Sequence, residues 1–161
     1  LFSQFYIINW FARNKNVLKD TDQQVKYTRN EENIHALVGI KIINTIREEC
    51  PELFDEELEE RIMHEAGEAL IAESNIVDWM VNGYEDAGLN AKLLKGFIKN
   101  RIISSLDQIG FKSPFEVDND ALEATMWFEE ELMGNNMADF FHTRPTEYSK
   151  KNQSFDEDDL F

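Results

Sequence analysis

A chain of 161 residues, 42% hydrophobic and 12% aromatic, is long enough for one domain with its own core and too apolar to be disordered. Its formal net charge of −16 excludes a nucleic-acid backbone or an anionic membrane surface as partner, because both are bound through Lys and Arg. The single cysteine, Cys50, excludes an intrachain disulfide framework and a cysteine zinc site, and fits a reducing, cytoplasmic setting.

With only seven glycines and three prolines, and few alternating runs, the chain reads as all-α. Leu1 to about Lys15 forms a first helix whose aromatics (Phe2, Phe5, Tyr6, Trp10, Phe11) are core candidates. This run is too short to span a bilayer and lacks the basic start of a signal peptide. It opens on Leu1 without a capping residue, so an upstream portion is expected. Asp20-Thr21-Asp22 offers an N-cap for a second helix that runs to about Glu49, where Pro51 closes it. Cys50, beside that proline, reads as structural. Asp55 caps a third helix to about Asn82, with Ile62, Ala66, Ala69, Ile76 and Met80 as its inward stripe and Gly83 as its stop. A fourth helix covers about Asn90 to Ile109, with Leu94, Phe97, Ile98, Ile102 and Leu106 inward and Gly110 at its end. Ala121 to Leu132 reads as one more short helix.

The chemistry concentrates on the second helix. In Glu32-Asn33-Ile34-His35 the acid and the imidazole stand three residues apart, hence on one helix face, together with Gly39, Ile42, Ile43 and Ile46. A carboxylate and an imidazole on an apolar face need a partner, and a metal ion is one. Glu-x-x-His projecting inward from a bundle helix is the half-site of dinuclear carboxylate proteins. A second acidic group, His64, Glu65 and Glu68, sits among Glu60 and Arg61 and reads as a solvated outer face.

From His142 the composition offers almost nothing to a core and predicts a mobile segment. The chain divides accordingly into a helical part, 1–141, and a tail, 142–161. The tail ends in Phe155-Asp156-Glu157-Asp158-Asp159-Leu160-Phe161, an acidic run between apolar anchors. Such a segment either frays in solvent or docks into a partner's groove.

In order and spacing these segments resemble the small, radical-generating subunit of class I ribonucleotide reductase, over its C-terminal half. Phe5-Tyr6 is similar to the helix just beyond the family's bridging glutamate. Asn30-Glu31-Glu32-Asn33-Ile34-His35 is similar to its Arg-Asp-Glu-x-x-His helix. Asn100-Arg101-Ile102 through Ile109-Gly110-Phe111 to Pro114-Phe115, then Trp127-Phe128-Glu129-Glu130-Glu131, Asp139-Phe140-Phe141 and Arg144-Pro145-Thr146-Glu147-Tyr148, follow in the family's order.

The resemblance implies a ferritin-like bundle and an oxidoreductase role in reducing ribonucleotides to deoxyribonucleotides. It implies that Glu32 and His35 bind one metal of a dinuclear iron or manganese centre. It further implies that Tyr148, assisted by Glu147, relays the radical between subunits. Phe155, Asp158, Asp159, Leu160 and Phe161 would dock on the large catalytic subunit, and the small subunit would itself dimerise. Glu31 stands where the family has aspartate in its radical-transfer network, and Asn30 where it has arginine. The bridging glutamate would fall just before Leu1 and the remaining ligands further upstream. The site would therefore be completed by an N-terminal portion, as a separate chain or a missing segment. Two alternatives stand beside this reading: a non-enzymatic module that occupies the large subunit through its tail, and a component of another di-iron oxidase.

Overall fold

The structure, a computed structural model, describes the backbone of residues 2–141 and the side chains of residues 3–131. It is an all-α, ferritin-like arrangement of five helices among the described residues. These are α1 (Phe2–Lys15), α2 (Lys19–Glu49), α3 (Glu56–Val81), α4 (Ala91–Gln108) and α5 (Asn119–Phe141), with a short 3-10 turn at Pro51–Leu53.

The core forms where α1 crosses α3, α4 and α5. Tyr6, Trp10, Val77, Val81, Leu94, Phe97, Ile98 and Phe128 are its buried members. Tyr6 is fully buried, its ring 5.2 Å from Phe97, 5.2 Å from Trp127 and 5.5 Å from Phe128. Its hydroxyl donates to the Gly88 carbonyl at 2.8 Å, which satisfies that buried polar group. Burial pushes the Tyr6 phenol above its ordinary pKa.

Local signals set most boundaries. Asp55 caps α3, its Oδ1 accepting from Leu58 N at 2.8 Å, and Asn90 caps α4 by accepting from Leu93 N at 2.9 Å. Gly110 ends the α4 region at φ 77°. Asn100, from the motif region on α4, forms a reciprocal pair with the backbone of Asp118, 2.8 Å in each direction, and Asp118 in turn caps α5 through Ala121 N at 3.0 Å.

Four expectations need correction. The N-terminus of α2 is not capped by Asp20-Thr21-Asp22, which lie inside the helix. Leu18, left-handed at φ 58°, precedes it with no side-chain cap. Asp22 instead faces inward and accepts from Asn9 Nδ2 at 2.6 Å. The inward stripe of α3 is rotated from the expected one. Val77 and Val81 are buried with Leu70 beside them, while Ala69 and Ile76 are exposed. Along α4, Ile103 is buried and Ile102 only partly so. The last helix starts at Asn119 and runs to Phe141, longer than the expected Ala121 to Leu132.

The α4/α5 crossing has no room for a side chain at Gly96. A Cβ there would stand 2.6 Å from Ala121 Cβ and 2.7 Å from Asp118 Oδ2. Gly96→Ala is expected to lower stability by about 1–3 kcal/mol despite its better helix propensity, because it displaces the α5 cap. Thermal or urea unfolding measures this, and an unchanged midpoint contradicts it.

Candidate metal centre

Glu32 and His35 sit in the middle of α2, which reaches them as an uninterrupted helix free of Pro and with its one glycine, Gly39, beyond them. The three-residue spacing brings His35 Nδ1 within 3.7 Å of Glu32 Oε2. A ligand bond to a carboxylate oxygen or an imidazole nitrogen is about 2 Å, so one ion fits between these two atoms. The donor set suits it as two ligands of a hard or intermediate metal. Among the described residues no group of three or more His, Cys, Asp or Glu side chains gathers at one point.

The pair was expected on an apolar helix face, and that face is open. The His35 side chain is 74% exposed and that of Glu32 47%. Around them Ile34, Leu37, Val38, Ile42 and Ile46 are each at least 40% exposed. The physical reason is that α2 is 31 residues long and is packed chiefly near its ends. Its first turns lie against α1 and α5, and its last against the Pro51–Leu53 turn and the end of α4. No described element covers the middle. Five large aliphatic side chains are thus exposed along about four helical turns, the kind of surface that marks an interaction site when it is contiguous.

Glu31 is exposed one position before Glu32. His64, Glu65 and Glu68 are all exposed on the outer side of α3, as the charge pattern predicts. A cleft of about 670 Å³ opens at the α1–α2 turn, bordered by Arg13, Lys26, Tyr27 and Glu131, and neither Glu32 nor His35 lines it. Glu147, Tyr148, Phe155, Asp158, Asp159, Leu160 and Phe161 lie outside the described residues.

The residues that sequence reasoning missed are those that hold α2. Arg29, one turn before Glu32, is only 2% exposed. Its Nη1 donates to Asn9 Oδ1 at 2.9 Å and its Nη2 to the Phe128 carbonyl at 3.4 Å. The guanidinium lies 4.1 Å from the centre of the Phe128 ring. Burial lowers the Arg29 pKa from its ordinary value, opposed by the charges of Glu131, Glu129 and Asp22. An arginine in a polar sequence reads as solvent-facing, so no sequence signal marked it.

The family model described as "Ribonucleotide reductase, small chain" matches residues 1–133. The chain belongs to the ribonucleotide reductase small-chain family. It is similar to the "Ribonucleoside-diphosphate reductase subunit beta" of Chlamydia pneumoniae, 30% identical over 148 residues, 91% of this chain and 41% of that protein. It is also similar to the protein of the same name from Aquifex aeolicus (strain VF5), 34% identical over 125 residues, 75% of this chain and 17% of that protein. The chain thus spans less than half the length of either relative. Among the described residues no helix is long and apolar enough to cross a membrane.

Proposed function

We propose that this chain is the C-terminal part of a ribonucleotide reductase small subunit, and that it acts in a cytoplasmic oxidoreductase that converts ribonucleoside diphosphates to deoxyribonucleotides. The observation that carries the reading is the Glu32–His35 pair, 3.7 Å apart and set in an open aliphatic stripe. A half-site surrounded by uncovered apolar surface matches a bundle whose other helices, with the other ligands, come from elsewhere. Membership of the small-chain family supports the same reading.

Glu32 and His35 hold one ion of a dinuclear iron or manganese centre, which supplies one-electron oxidising power when assembled. The upstream portion of the small subunit, in the same polypeptide or a separate one, provides the remaining ligands and covers the stripe. Covering the stripe excludes water from the centre and lowers the local dielectric. Glu31, beside the ligand, accepts a hydrogen bond from the radical-transfer network. Tyr148 would give up one electron toward the oxidised metal centre and its phenolic proton to the Glu147 carboxylate, and would regain both when the radical returns. Phe155, Asp158, Asp159, Leu160 and Phe161 dock on the large subunit, where the ribonucleotide is reduced. The small subunit works as a dimer.

Reconstitution tests the reading. The small subunit assembled with its upstream portion, loaded with iron or manganese and mixed with the large subunit, is expected to reduce a ribonucleoside diphosphate. Removal of residues 155–161 is expected to abolish large-subunit binding and turnover while leaving the bound metal in place. Turnover that persists without those residues contradicts the proposed docking.

A further inference from the structure

Only three residues of α2 are buried: Asp22, Val25 and Arg29. Eighteen residues after Arg29 stands Arg47, five full turns on, and hence on the same face about 27 Å along the axis. The two guanidiniums do the same thing on either side of the Glu32–His35 turn. Arg29 donates to the Phe128 carbonyl at 3.4 Å and lies 4.1 Å from that residue's ring centre. Arg47 donates to the Ile109 carbonyl at 2.6 Å and lies 4.3 Å and 4.4 Å from the ring centres of Phe54 and Phe111. Both leave a buried Nε without a partner among the described residues. Between them, from Glu31 to Val38, no residue is buried.

A helix seated on one face on both sides of an uncovered span, here Glu31 to Val38, takes its rotation and axial position from those seats, with Asn44 adding a bond to the Gln108 carbonyl at 3.0 Å beside Arg47. Apolar side chains would cover the same rings at lower desolvation cost, since a buried guanidinium is expensive. The planar fork adds direction. It meets a given carbonyl while stacked on a given ring at only one rotation of the helix. We infer that Arg29 and Arg47 are positioning residues, two clamps that set the rotation of α2 and so aim Glu32 and His35 at the other half of the metal centre. This rests on the reading of Glu32 and His35 as ligands.

The test uses the small subunit assembled with its upstream portion, as wild type, Arg29→Met, Arg29→Lys, Arg47→Met and His35→Ala. Two quantities are read well below each variant's melting temperature: cobalt(II) affinity by visible absorbance, and amide hydrogen exchange across residues 30–38. Arg29→Met is expected to weaken cobalt binding roughly 10–100-fold, the range seen when support of a ligand is lost. It should also accelerate exchange across 30–38. Arg47→Met should do the same to a smaller degree, because it lies farther from the pair. Arg29→Lys should behave like Arg29→Met, since lysine keeps the charge and loses the fork. A purely structural role predicts lowered melting temperatures with wild-type cobalt affinity and wild-type exchange in the folded state, and that result overturns the inference. If Arg29→Met does not fold, Arg47→Met carries the same two readouts. Wild-type cobalt binding by His35→Ala would mean that the ligand reading has failed, and the exchange data alone then decide whether the arginines hold α2.

Discussion

Replacing His35 by alanine is expected to leave the fold of this chain untouched and to disable the assembled subunit. The side chain is 74% exposed and its neighbour within reach is Glu32 Oε2 at 3.7 Å, too long for a strong hydrogen bond. Exposed positions of this kind change stability by about 0.5 kcal/mol or less. In the proposed assembly the same imidazole is one of the few donors to an ion. Loss of a ligand is expected to cost on the order of 100-fold or more in metal affinity, since even supporting residues cost 10–100-fold. Turnover falls with the metal. Circular dichroism melting of the chain and metal content of the assembled subunit measure the two halves of this prediction. Retained metal and retained turnover would sink the ligand assignment and favour a non-enzymatic module.

Ile42→Asp has the opposite pattern of effects. Ile42 is 53% exposed in the middle of the stripe, so the isolated chain keeps its fold and loses some tendency to self-associate. Assembly with the upstream portion buries this position. Covering an isoleucine contributes about 1.5–3 kcal/mol, and enclosing a carboxylate there without a partner adds a penalty of several kcal/mol. The two together exceed about 4 kcal/mol, a loss of roughly a thousandfold in association. Titration of the upstream polypeptide against wild-type and variant chain measures it. Equal affinities would show that the stripe is not the surface on which the upstream portion packs.

These two predictions turn on a distinction between what a sequence encodes locally and what depends on distant chain. The Glu32–His35 pairing was legible because three residues make nearly one helical turn, whatever surrounds the helix. The cap at Asp55, the start of the fourth helix near Asn90 and the Gly110 stop were legible for the same reason. The alternation of α4 named Leu94, Phe97, Ile98 and Leu106 correctly, since that helix is packed on several sides. The open face around Glu32 and His35 accords with the expectation that an upstream portion supplies the rest of the bundle. On α3 the alanines and isoleucines lie nearly all round the helix, so periodicity alone placed the stripe one position off, on Ile76 rather than Val77. Asp22 was misread and Arg29 missed for one shared reason. Charged residues are assigned to caps and surfaces by default, and only three-dimensional packing shows Asn9 holding both, accepting from one and donating to the other.

The aromatic core around Tyr6 draws on α1, α3, α4 and α5 and, from α2, on Val25, and includes neither Glu32 nor His35. Arg29 and Arg47 connect α2 to its neighbours and leave the span between them available to a partner.

The most direct measurement is native mass spectrometry of the protein from its source, with metals retained. The predicted result is this sequence accompanied by upstream small-subunit sequence, as a second polypeptide or in the same one, together with two metal ions. A metal-free species of 18.9 kDa, with no upstream sequence bound, contradicts the assignment of Glu32 and His35 to a shared dinuclear centre.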